Sequence, residues 1–143
     1  MKIKIHLVEN SSKRLLFLSK DPYKKRIKTF NKYMAYEFKT EEEAEAVKKF
    51  FNSQGYNFVV ENIAYYETLE SLTVSFTEYK VKIMLGTDLL LFTNNNINAY
   101  KKLWKALEGV EAKPFIIELE GTKVFESADK HTLYKELNKF LEN

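Results

Sequence analysis

YMAYEFKTEEEAEAVKKFFNSQGYNFVV, residues Tyr33 to Val60, is the stretch on which the fold turns. Tyr33 to Phe38 has the aromatic and apolar character of a strand, and Thr40 stands where a helix needs an N-cap. Glu43, three residues on, completes a capping box, and Glu41, Glu42 and Glu43 lie at the positive end of the helix dipole. The helix expected over Glu41 to Ser53 gathers Ala44, Val47, Phe50 and Phe51 on one side. It carries Lys48 and Lys49 near its C-terminal end and stops at Gly55. Such a face must cover a sheet, and Tyr56 to Val60 supplies the next strand. Residues 33–60 therefore read as a β-α-β unit whose two strands can run parallel beneath the helix.

Toward the N-terminus, Lys2 to Val8 alternates, with Ile3, Ile5 and Leu7 on one face and Lys2, Lys4 and His6 on the polar one. A polar break from Glu9 to Lys13 leads to a second strand, Leu15 to Ser19, and Asp21-Pro22 turns the chain, so a hairpin is the simplest connection. Tyr65 and Tyr66 are neighbours and face opposite sides of a strand, which offers one of them as an interface anchor. Toward the C-terminus, Leu72, Val74 and Phe76, then Val81, Ile83 and Leu85, then Leu89 to Phe92 after Gly86-Thr87-Asp88 read as an antiparallel meander. Asn94, Asn95 and Asn96 offer N-caps for a helix with Ile97, Tyr100, Leu103, Trp104 and Leu107 on one stripe, closed by Gly109. A strand Phe115 to Glu120, a Gly121-Thr122 turn and a strand Lys123 to Phe125 precede a last helix. Ser127 is its expected cap and Leu133, Tyr134, Leu137, Phe140 and Leu141 its buried face. Phe38-Lys39-Thr40 and Phe125-Glu126-Ser127 echo each other as strand-to-helix junctions, so two related halves are one reading and convergence is the other. The fold class is α+β. Residues 1–143 are expected as one domain with a mainly antiparallel sheet and about three helices packed on it, and 67–71 is the place where two subdomains would meet.

The 143 residues are 45% hydrophobic and 15% aromatic, enough for a core without staples, and they include no cysteine. A disulfide framework, a thiolate metal site and a cysteine nucleophile are thereby excluded. Met1 to Asn10 lacks the apolar core of a signal peptide, and no apolar run approaches the length of a membrane span, so a cytoplasmic chain with no membrane partner is expected. His6 and His131 are the two histidines and lie on different elements, Gly55, Gly86, Gly109 and Gly121 are each isolated, and no nucleophile elbow occurs. These absences point to no metal site, no phosphate-cradling loop, no cofactor and no catalytic residue, hence to a protein that is not an enzyme.

The net charge of +3 is unevenly spread. Residues 1–32 carry ten Lys or Arg against Glu9 and Asp21, a balance of +8, and the remainder is −5. Within this quarter, KDPYKKRIKTFNK over Lys20 to Lys32 interleaves Lys20, Lys24, Lys25, Arg26, Lys28 and Lys32 with Tyr23 and Phe30. Cations beside aromatics suit RNA or DNA, because phosphates attract the former and unpaired bases stack on the latter. The competing reading puts Ile27 and Phe30 in the core and leaves the lysines solvated on an edge strand.

Residues 13–51, where Lys13-Arg14-Leu15-Leu16-Phe17-Leu18 precedes Tyr36-Glu37-Phe38-Lys39-Thr40-Glu41-Glu42-Glu43-Ala44, resemble a pattern common in small single-domain proteins of bacteriophages and other mobile elements. The motif carries no catalytic residue. The resemblance implies stoichiometric action on host machinery in the host cytoplasm, in the manner of anti-CRISPR and other anti-defence inhibitors. Inhibitors of that kind that imitate nucleic acid are strongly acidic, and this chain is not, so imitation of DNA is disfavoured. The expectation is an interaction protein that inhibits or modulates a host protein or ribonucleoprotein complex by occupying a surface. An autonomous nucleic-acid-binding module is the alternative.

Overall fold

The computed structural model describes residues 1–12, 14–22 and 26–141, and among them ten strands and three α-helices form an α+β fold with two mostly antiparallel sheets. The chain divides into two compact units, Met1–Tyr65 and Tyr66–Asn143.

In the first unit β1 (Lys2–Glu9) pairs antiparallel with β4 (Phe58–Glu67), from Lys2 opposite Tyr65 to Glu9 opposite Phe58. On its other side lie two short strands, β2 (Phe17–Leu18) and β3 (Lys28–Thr29), so the expected hairpin forms but with a much shorter second strand. The helix α1 (Glu41–Asn52) is capped as expected, Thr40 Oγ1 accepting the Glu43 amide at 3.2 Å. It covers one face of the sheet, where Leu7, Leu18, Phe38, Ala44, Phe51 and Phe58 form a buried cluster with Val47, Ile5 and Ile27 at its margin. Phe50, expected on that face, is instead exposed, as is Ile3, which lies beyond this cluster at the start of β1.

Three expectations need correction. Tyr33 to Phe38 is no strand: Asn31 Oδ1 accepts the Tyr33 amide at 2.9 Å and nucleates a 3-10 turn, Lys32–Met34, leaving only isolated bridges at Ala35 and Phe38. Residues 33–60 are therefore not an adjacent β-α-β pair. Phe38 bridges β1 antiparallel and so does β4, so the two segments share a direction but have β1 between them. Finally β4 runs past Val60 to Glu67, because the eight-residue ladder with β1 carries it through the polar Glu61 and Asn62.

In the second unit β5 (Leu72–Phe76), β6 (Lys80–Leu85) and β7 (Asp88–Asn94) form the expected meander. Helix α2 (Ile97–Glu108), capped by Asn96, follows, then β8 (Val110–Glu111), which pairs in parallel with the end of β4 at Tyr66 and Glu67. β9 (Phe115–Leu119), β10 (Thr122–Ser127) and α3 (Lys130–Leu141) complete the unit, with the sheet order β10-β9-β5-β6-β7. β9 runs parallel to β5. Leu72, Val74, Val81, Ile83, Leu103, Leu107, Phe115, Ile117, Leu133 and Leu137 fill the core. Side chains of Ile97 and Leu141 lie outside the described ones. Asp129, not Ser127, caps α3: its carboxylate accepts the amides of His131 and Thr132 at 3.2 and 3.3 Å, while Ser127 ends β10.

Both units place a strand beside the first strand of a meander after a helix, which is the strand-order counterpart of the junction echo. The directions differ, β4 antiparallel to β1 and β9 parallel to β5.

Candidate interaction surface

The described residues of the basic stretch belong to a tightly hydrogen-bonded piece of the first unit. Ser19 donates its amide to the Ile27 carbonyl at 2.9 Å and its hydroxyl to that of Arg26, and the Lys20 amide reaches the Met34 carbonyl at 2.8 Å. Thr29 Oγ1 accepts the Asn31 amide at 3.1 Å, and the Tyr36 amide bonds the Leu18 carbonyl at 2.9 Å. With the backbone held in this way, binding through this piece costs little further backbone entropy. Ala35 is 1% exposed, yet Phe30, Tyr33 and Met34 on the same segment are 48%, 64% and 51% exposed. Large apolar groups concentrated on a few consecutive residues of a charged surface mark an interaction site more than scattered ones do.

Cations lie over these rings. The Arg14 guanidinium is 4.9 Å from the Phe30 centroid, and the Lys32 ammonium is 5.0 Å from that of Tyr33. Each such contact is worth about 0.5–1 kcal/mol at an exposed site, which biases the two long side chains toward a fixed place on the surface. The result is half-exposed aromatic area with positive charge beside it, a chemistry that receives acidic groups and flat apolar or π surfaces.

Of the residues singled out from the sequence, Lys20 and Arg26 are exposed, Phe30 and Lys32 belong to the ring and cation set, and Tyr23, Lys24 and Lys25 lie outside the described residues, as does Lys13. Lys28 has a different role. Its ammonium pairs with Glu9 at 3.1 Å and lies 5.4 Å from the Tyr56 centroid, so much of its charge is answered within the unit. Burial pushes the Glu9 carboxyl up, but the hydrogen bonds from Lys28 and Ser11 outweigh this and hold it below the ordinary 4.5. Ile27 packs at the margin of the core as the structural reading expected, whereas Phe30 does not. Arg14, Tyr33 and Met34 were not anticipated. A strand reading of Tyr33 to Phe38 hid the last two, and nothing local couples Arg14 to Phe30.

Behind this segment sits a polar network. His6, expected on the polar face of β1, is fully buried. Its Nδ1 lies 2.9 Å from the Tyr36 carbonyl and its Nε2 2.8 Å from the Tyr65 hydroxyl. A carbonyl only accepts, so Nδ1 carries the proton and the bare Nε2 accepts the Tyr65 O–H, a neutral imidazole with both nitrogens used. Burial holds the His6 pKa below its ordinary 6.5. The Lys4 ammonium adds to this, and together they exceed the opposing effects of the Tyr36 carbonyl and Glu37. Lys4 pairs with Glu37 at 2.8 Å and lies 4.5 Å from the Tyr65 centroid; that hydrogen bond keeps the Glu37 carboxyl below 4.5. The sequence signal for His6 was Val8, which shares its parity on β1 and is also fully buried, as is Phe17, whose ring meets the imidazole edge at 5.1 Å.

The second unit holds a cleft of about 650 Å³ lined by Glu67, Leu69, Glu111, Lys113, Asp129 and Lys130 among others. Two of its charged groups serve the fold: Lys130 Nζ donates to the Glu108 and Val110 carbonyls at 3.1 and 2.6 Å, and Asp129 caps α3. The hydrogen bond from Thr132 and those from the first-turn amides hold the Asp129 carboxyl below 3.8. Among the described residues no group of His, Asp or Glu is gathered to hold a metal ion, and no helix is long and apolar enough to cross a membrane. Comparison with known protein families, with curated proteins and with solved structures gives no match.

Proposed function

We propose that this chain is a non-enzymatic interaction protein that works by stoichiometric binding. It would present the Arg14, Lys20, Arg26, Phe30, Lys32 and Tyr33 surface to a host protein or ribonucleoprotein complex and inhibit or modulate it. The observation that carries this reading is the concentration of Phe30, Tyr33 and Met34 on one exposed segment, with cations over two of the rings. Aromatic and arginine side chains are the groups that most often dominate interface energetics, and a positive surface selects acidic partners and speeds encounter. The anti-defence setting rests on the resemblance of residues 13–51 to small phage proteins. A second reading, an autonomous module for single-stranded nucleic acid, is favoured by the same pairing of rings with cations, since bases stack on the one and phosphates meet the other.

Affinity capture from host lysate, with and without nuclease, tests both, using the wild-type chain and an Arg26→Glu, Phe30→Ser, Tyr33→Ser triple variant. Capture of one protein complex in stoichiometric amount that survives nuclease and is lost with the variant is the expected result. Loss with nuclease transfers the reading to the nucleic-acid module. Capture that the variant leaves unchanged refutes the surface in both.

A further inference from the structure

We propose that His6 is a proton-sensitive support for the candidate surface: a proton taken up at Nε2 shifts Tyr65 and, through it, the Lys32 and Tyr33 side chains, so the surface keeps its arrangement while the imidazole is neutral and loses it in acid. This regulation rests on reading that surface as the binding face. The segment that carries Phe30, Tyr33 and Met34 is tied back to the sheet at several points. The Lys20 amide reaches the Met34 carbonyl at 2.8 Å, the Tyr36 amide the Leu18 carbonyl at 2.9 Å and the Phe38 amide the Ile5 carbonyl at 2.9 Å. These are backbone pairs and do not titrate. The bond from His6 Nδ1 to the Tyr36 carbonyl, just past the 3-10 turn Lys32–Met34, is a tie made by a titratable side chain.

The tautomer decides what an added proton does. Nδ1 already carries its hydrogen, so a second proton binds at Nε2, 2.8 Å from the Tyr65 hydroxyl. Nε2 then changes from acceptor to donor, and the Tyr65 O–H that points at it must swing its hydrogen away and accept instead. The new positive charge also arrives 5.9 Å from a ring that already carries two ammonium groups, Lys4 at 4.5 Å and Lys32 at 5.8 Å from its centroid. Like charges this close repel. Lys32 is shared with the Tyr33 ring, 5.0 Å from its ammonium, so a movement of Tyr65 or Lys32 passes to a side chain that is 64% exposed on the surface.

Among the described residues, the imidazole is surrounded by Lys4 on β1, Glu37 on the segment ahead of α1, Tyr65 and Glu61 on β4, and the Phe17 ring on β2, with Glu61 opposite His6 in the ladder. Glu37, the carboxylate that favours a charged ring, is already engaged by Lys4 at 2.8 Å. Burial, with Lys4 adding to it, opposes that charge more than the Tyr36 carbonyl and Glu37 support it. A partner that closes on Lys32 and Tyr33 therefore binds the neutral form. One pH unit below the folded-state pKa only about a tenth of the molecules hold that form, which weakens binding roughly tenfold.

The test is an NMR titration of the full chain alone from about pH 7.5 to about pH 5, reading the His6 ring, the amides of Lys32, Tyr33 and Tyr36, and the Tyr33 and Tyr65 rings. Lys32 and Tyr33 are expected to follow the His6 midpoint, and His6→Gln to abolish the response. Tyr65→Phe, which removes the hydroxyl and leaves the bond to Tyr36, should keep the Tyr36 response and lose most of that at Lys32 and Tyr33. A His6 ring that stays neutral throughout, or Lys32 and Tyr33 signals that stay flat through its midpoint, overturns the proposal. So does a response that His6→Gln or Tyr65→Phe leaves unchanged. No partner enters the measurement, so its failure leaves the binding surface standing, and failure of that surface in affinity capture leaves the coupling standing.

Discussion

Acidification from about pH 7.5 to about pH 5 should unload the first unit through a single side chain, His6. The imidazole is fully buried and neutral, with both nitrogens engaged, and its pKa in the folded chain lies below 6.5. The unfolded chain therefore binds a proton that the folded chain resists. Stability from this group is complete above pH 6.5 and is lost as the pH falls below that value toward the folded pKa. One proton taken up on unfolding corresponds to a slope of at most about 1.4 kcal/mol per pH unit. Glu9 and Glu37 do not confound the window, because their depressed carboxyls give stability that persists above 4.5 and fades only at more acidic pH. Urea denaturation at half-unit pH steps would measure the slope, with His6→Gln as the control, since an amide can still donate to the Tyr36 carbonyl and accept from Tyr65 but does not titrate. The slope attributable to this histidine should vanish in that variant. An imidazole that titrates at or above 6.5 by NMR, or a slope that survives His6→Gln unchanged, would refute the reasoning.

Other perturbations have direct readouts. Asn52 accepts the Phe58 amide at 2.8 Å and donates to the Phe58 carbonyl at 3.1 Å, clamping the end of α1 to the start of β4, so Asn52→Ala should cost about 2 kcal/mol in chemical denaturation. Thr40→Ala removes the α1 cap and should cost about 1 kcal/mol, with faster amide exchange at Glu43. Asp129→Ala should speed exchange at His131 and Thr132 without disturbing α1, since these are the amides its carboxylate receives. Gly86 sits at φ +59 with the Glu70 carboxylate where a Cβ would lie, so Gly86→Ala should lower the thermal midpoint by straining the β6–β7 turn and displacing Glu70.

What was legible in the sequence was what neighbouring residues decide among themselves. Thr40 with Glu41 to Glu43, and Asn96 ahead of a stripe through Leu103, Trp104 and Leu107, announce their helices because cap, charge and periodicity act over a few residues. Alternation from Leu72 to Phe92 announces the meander for the same reason. What depends on distant partners was not legible. β4 outlasts its own apolar run because β1 lies along it, β9 runs parallel to β5, and His6 is buried through its place in the register of β1 rather than through its own polarity. The candidate surface divides the same way. Phe30 and its basic neighbours stood out as a local interleaving, but the guanidinium over Phe30 comes from Arg14, and Tyr33 and Met34 are exposed because Asn31 turns the chain where a strand would have alternated them.

The central claim is that the protein acts through the Arg14, Phe30, Lys32 and Tyr33 surface, and backbone amide chemical-shift mapping of the first unit against its captured partner tests it most directly. The account predicts perturbations concentrated at Arg14, Lys20 and Arg26 to Met34, and an affinity that falls roughly thirtyfold when Tyr33 is replaced by Ser. Perturbations concentrated elsewhere on the chain, with Tyr33→Ser binding as the wild type does, would contradict it.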